Sequence, residues 1–149
     1  MDGSRLRRVL VGFDGSIQAQ AALELAVDLA HGSGAQVTVL FILPDTQHLE
    51  SEESRLQASQ RVRSELETHL APLRRYAAAV GVPLTEVALH GGDPAASIAS
   101  YAAAHGFDVV VIGSHGRERA LHGGLGRVVE RLLREPRVPV LVVPGRNLS

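Results

Sequence analysis

Short, unbroken apolar runs separated by segments of helical period restrict this chain more than any other feature. Arg8-Val9-Leu10-Val11-Gly12-Phe13 is the first run, and Val37 to Leu43, stopped by Pro44, is the second. Asp108 to Ile112, reading DVVVI, and Val138 to Val143 have the same character. A strand with one wet face alternates apolar and polar side chains, whereas a strand covered on both faces need not. Leu84 to Leu89 alternates enough for a strand nearer a sheet edge. Between the runs, apolar residues recur at helical spacing: Ala22, Leu23, Ala26, Leu29 and Ala30, then Leu56, Val62, Leu66, Leu70, Leu73, Ala77 and Val80. Strand and helix therefore alternate, which predicts an α/β fold with a mostly parallel sheet and helices on both faces. At 149 residues, with no internal repeat and no linker, residues 1–149 read as a single doubly wound domain.

Local signals place the element ends. Ser16 can cap a helix over Ile17 to Ala30, with His31-Gly32 closing it. Thr46 to Glu53 reads as a polar, acidic loop. Pro72 lies inside the long helical pattern that follows and predicts a kink or break near residues 68–72, and Gly81-Val82-Pro83 ends that element. Asp93-Pro94 is an N-cap followed by proline at the first helical position, opening a helix to His105 that Gly106 ends. A last helix is expected from about Leu125 to Arg134.

Composition removes several classes of chemistry. The chain has no cysteine, so it carries no disulfide, thiol nucleophile or cysteine-type zinc site. All fifteen basic residues are arginine, which excludes a Walker-type lysine loop, a kinase lysine and a Schiff-base nucleophile. A net charge of −1 and few aromatic residues argue against nucleic-acid binding, and no stretch approaches the roughly 20 apolar residues of a membrane span. After the basic Arg5-Leu6-Arg7-Arg8, the run Val9 to Phe13 is too short for a signal peptide core, and a cytoplasmic protein is expected. There is no Gly-x-Ser-x-Gly elbow, and no receiver-type set of aspartates with a lysine. Without a nucleophile, base and orienter, an efficient enzyme is not expected.

In a sheet of this kind, ligands settle beyond the carboxyl ends of the strands where the winding reverses. Two loops have suitable chemistry: Gly12-Phe13-Asp14-Gly15-Ser16 after the first strand, and Gly113-Ser114-His115-Gly116 after the fourth. Gly113, Gly116 and Gly126 are spaced Gly-x2-Gly-x9-Gly. So bare a stretch reads as a cradle for a ligand rather than as packing, because glycine lets backbone amides approach and turn toward one point. Gly126 opens the last helix, whose free N–H groups and dipole favour an anion. Between Gly113 and Arg137 six arginines face three glutamates. A polyphosphate held without lysine fits this pattern, and so does a loop that is only a connection. Asp14 is compatible with a ligand contact or with a helix cap. His115 and His122 flank the loop, but two histidines without a third ligand make a poor zinc site, so no metal ligand is assigned among side chains and His115 is retained as a neighbour of the phosphates. The remaining five histidines read as surface or cap residues.

VLVGFDGS, VTVLFIL, GGDPAASI, DVVVIGSHGR and PVLVVP, together with the glycine spacing, make the chain resemble the universal stress protein family over nearly its whole length. The resemblance implies a five-stranded parallel sheet in the order 3-2-1-4-5, with ATP and Mg²⁺ bound between strands one and four. Position by position it implies main-chain contacts from Gly12 and Phe13, and a ribose or metal contact from Asp14. Ile42 would meet the adenine. Gly113, Ser114, His115, Gly116 and Arg117, then Gly126, Arg127 and Val128, would form the phosphate loop. Where the family has Ser or Thr after the last glycine, this chain has Arg127. Arginine there could bind phosphate, fill the site, or turn to solvent. The resemblance further implies a homodimer through the last strand, Val138 to Pro144, where Pro139 suits a sheet edge. Two functions are compatible with these features. One is an ATP-binding regulatory protein of the stress response, with slow ATP hydrolysis as its only conceivable turnover. The other is a nucleotide-free dimeric interaction module of the same fold.

Overall fold

In the computed structural model, residues 5–115 and 126–144 are described. The elements run β1 (Arg8–Gly12), α1 (Ile17–Ser33), β2 (Gln36–Leu43), α2 (Glu52–Ala79), β3 (Leu84–His90), α3 (Pro94–Ala104), β4 (Val109–Gly113), α4 (Arg127–Arg134) and β5 (Val140–Val143). The sheet is parallel throughout, in the order β3-β2-β1-β4-β5. Val11 pairs with Val39 on one side and Val111 on the other, so the carboxyl ends of β1 and β4 lie next to each other.

Strand parity explains why the runs are continuous. Val9 and Val11 of β1 join a core made with α1 and α2, where Leu23, Val27, Leu66 and Leu70 are buried. Leu10, between them, points into a second core with Ile98 of α3 and Leu132 of α4. Both faces are covered, so neither parity of β1 can be polar. At the amino ends of the strands, Asp108 ties β4 to β1 by accepting the amides of Arg7 at 2.9 Å and Arg8 at 2.8 Å.

Four boundaries differ from expectation. α1 continues to Ser33, and Gly34, with φ +77°, ends it by donating its N–H to Ala30 O. α2 starts at Glu52, so part of the expected loop is helical, because Ser51 accepts the Ser54 amide and caps it. Of the kink or break expected at residues 68–72, the break does not occur: α2 runs through Pro72 as one helix. Pro72 and Thr68 are both exposed, so water can satisfy the Thr68 carbonyl, while Leu66, Leu70, Leu73 and Ala77 bury a continuous stripe. β5 begins at Val140, and the Pro139 carbonyl before it accepts the Val110 amide at 2.9 Å.

Candidate functional site

The two sequence-selected loops come together at the β1/β4 junction. They border a cleft of about 710 Å³ lined by Gly12, Phe13, Asp14, Ile42, Gly113, His115, Gly126, Arg127 and Val128, among others. Gly116 and Arg117, and His122 with them, lie outside the described residues.

The first loop is built by local hydrogen bonds. Phe13 is buried in the core and donates its N–H to Leu40 O at 2.9 Å. Asp14 is exposed, and its Oδ1 accepts the Ser16 amide at 2.9 Å, a turn that Gly15 permits with φ +81°. The helix cap itself is Ser16, whose Oγ accepts from Ala19 N at 3.1 Å. Asp14 is therefore a loop organiser at the rim of the cleft.

The second loop corrects two expectations. The Ser114 amide does not face the cleft as a free donor, since it donates to Val143 O at 2.9 Å, and Gly126 N donates to Ser114 O at 2.8 Å. These bonds extend the β4–β5 pairing past the end of β4 and fix the start of α4. Gly113, read as bare for a ligand rather than for packing, has a packing reason as well: a Cβ there would lie 2.7 Å from Gln18 Cβ and 2.8 Å from the Gln18 backbone carbon. Close packing of α1 accounts for that glycine. His115 lies between Ser114 Oγ, 3.1 Å from Nδ1, and Gln18 Nε2, 3.0 Å from Nε2. A Gln18 amide that donates to Nε2 leaves the proton on Nδ1, directed at Ser114.

What remains open is the first turn of α4. Gly126 caps it without a side-chain hydrogen bond, and residues 126–129 line the cleft. The amides of Arg127, Val128 and Val129 have no partner inside the helix, as at any helix start, and the dipole adds positive potential. Arg127 is exposed and lines the cleft. Asp14, Asp45 and Glu65 also line the cleft. The lining thus combines an arginine and an open helix start with carboxylates, groups suited to a ligand that carries both phosphate and hydrogen-bond donors.

Sequence reasoning missed one wall. Gly91 and Gly92 line the cleft with φ +65° and +84°, and a Cβ on Gly91 would meet Asp45 Cβ at 3.3 Å. Consecutive glycines before the Asp93 cap were the available signal. Val62, Glu65 and Leu66 also line the cleft, but they belong to a helix whose position over it no local pattern encodes.

Comparison with known proteins agrees with this architecture. The model of the universal stress protein family matches residues 5–144. A universal stress protein of Staphylococcus haemolyticus is 30% identical over 138 residues, covering 92% of this chain and 84% of the relative. The structure is similar to that of the universal stress protein UspA from Lactobacillus plantarum, with TM-score 0.76, 23% identity and coverage of 95% and 99% of the two chains. It is similar to a universal stress protein in complex with cAMP, with TM-score 0.71, 21% identity and coverage of 96% and 100%. It is also similar to the Archaeoglobus fulgidus protein in complex with dAMP, with TM-score 0.64, 21% identity and coverage of 93% and 97%. With its sheet order, its cleft between β1 and β4 and a match over nearly all its length, this chain belongs to the universal stress protein family.

Proposed function

We propose that the β1/β4 cleft binds an adenine nucleotide, with ATP as the expected ligand, and that the chain acts as a nucleotide-responsive regulatory protein rather than an efficient enzyme. The observation that carries this reading is the first turn of α4, which has no side-chain cap and borders a cleft also lined by Asp14 and Asp45. Phosphate suits the helix start, while ribose hydroxyls and an exocyclic amine suit carboxylates. Similar structures in complex with cAMP and dAMP support a ligand of this class. Leu40 and Ile42 line the same cleft and offer apolar surface to a base. A homodimer through β5 completes the proposal, since among the described residues that strand pairs only with β4.

Calorimetric titration of the purified chain with ATP is expected to show micromolar binding, and denaturing fresh protein is expected to release an adenine nucleotide detectable by chromatography. Gly126→Val should abolish binding while the circular dichroism spectrum is retained. Absence of heat, of co-purified nucleotide and of any shift in melting temperature would sink the reading.

A second reading, a nucleotide-free dimeric interaction module, is favoured by a specific observation. The amides of Ser114 and Gly126 are already satisfied within the protein, and Gly113 is explained by packing. The same titration separates the two.

A further inference from the structure

The charge balance of the cleft has a consequence for the metal that the family resemblance implies. Mg²⁺ requires an octahedral set of oxygens, commonly one or two carboxylates completed by phosphates and water. Among the described residues no group of three or more His, Asp or Glu side chains could hold a metal ion. Asp14 and Asp45 each engage Oδ1 with a backbone amide of their own turn, from Ser16 at 2.9 Å and Gln47 at 3.0 Å. The position where the family has a hydroxyl, directly after the last glycine of the motif, is Arg127. A guanidinium has no lone pair to offer a metal, so this position cannot supply the ligand oxygen and brings a positive charge instead.

Arg127 offers a different solution. It stands at the first position of α4, exposed and lining the cleft, and among the described residues no hydrogen bond or ion pair holds its guanidinium. Among the described residues lining the cleft it is the one permanent cation. A guanidinium binds phosphate bidentately and cannot lose its charge. Placed where the helix dipole already favours an anion, it neutralises phosphate charge from the protein side, the task a divalent cation performs from the ligand side. The two also compete: Mg²⁺ coordinated to the same phosphates would repel the guanidinium and lower the negative charge it recognises.

We infer that this site takes its nucleotide's phosphate on Arg127 in place of a divalent cation, so that metal-free nucleotide is the preferred ligand. The inference rests on the nucleotide-binding reading above.

The test titrates the full chain with ATP by calorimetry, once in EDTA and once in excess Mg²⁺, for the wild type and for Arg127→Ser. Because Arg127 is exposed, both proteins should give the same circular dichroism spectrum and melting temperature. Wild type is expected to bind ATP in EDTA at least as tightly as in Mg²⁺. Arg127→Ser should weaken binding in EDTA by about tenfold, the scale of one lost hydrogen-bonded charge contact, and should turn the preference toward Mg²⁺. Arg127→Lys should retain part of the EDTA affinity. A wild type that binds only with Mg²⁺, or a serine variant that matches wild type in EDTA, overturns the inference and leaves nucleotide binding standing. No heat for either protein under either condition overturns both.

Discussion

A methyl group at position 113 would press on the Gln18 backbone carbon at 2.8 Å, and backbone cannot move aside as the end of a side chain can. Gly113→Ala is therefore expected to destabilise the fold by about 1–3 kcal/mol, the usual cost of overpacking. Urea denaturation should show a lower midpoint with an unchanged slope. A wild-type midpoint would mean that α1 can slide outward, and the packing explanation would fail. Gly113 and Gly126 look alike in the sequence, yet one is bare for a helix crossing and the other begins a helix that opens on the cleft. The spacing of glycines was legible; the reason for each was not, because a missing side chain records no partner. Asp14 and Ser16 behave similarly. Both residue types favour helix starts, but only the folded loop shows that Ser16 caps while Asp14 braces the turn.

α2 is the element on which local rules were least reliable. Its proline signalled an interruption, but the apolar stripe from Leu66 to Ala77 packs against the sheet and carries the helix through. Arg74 then fastens α2 to the edge strand β3, donating from Nε to Glu86 at 2.7 Å and from both terminal nitrogens to Glu67 at 2.7 and 2.8 Å. These hydrogen bonds hold the Glu67 carboxyl below its usual value. A carboxylate with a lowered folded pKa adds stability at pH above its unfolded value, near 4.5, and loses it as pH falls through the folded value. Because the pair is exposed, Arg74→Met should cost only about 0.2–1 kcal/mol at neutral pH. Urea midpoints of the two proteins are expected to differ near pH 7 and converge in acid as Glu67 is protonated. A difference that survived into strong acid would assign the effect to the aliphatic stem of Arg74. Element type and order were legible because the contrast between continuous and helical periods is strong. Ends were less so, since Gly34 could be chosen over Gly32 only by its left-handed backbone in place.

At the scale of the whole molecule, β5 is one of the two edges of the sheet. Val140, Leu141 and Val142 are all at least partly accessible, and among the described residues the strand pairs only with β4. An apolar edge of this kind invites pairing with another strand, and a second copy would cover it about a two-fold axis. Light scattering is expected to give the dimer mass at micromolar concentration, with Leu141→Arg shifting it toward monomer; monomer mass for the wild type would refute the arrangement. No helix among the described residues is long and apolar enough to cross a membrane. By itself the sequence determined that strands and helices alternate, that the central strands are covered on both faces, and that two loops carry little side-chain bulk, because periodicity and composition are properties of neighbours along the chain. Tertiary structure alone decided that Ser114 and Gly126 spend their amides internally, that Gly91, Gly92 and α2 complete the cleft, and that Arg127 lines it together with Asp14 and Asp45. Those relations join residues far apart in the chain, and they exist only once the sheet has brought the strand ends together.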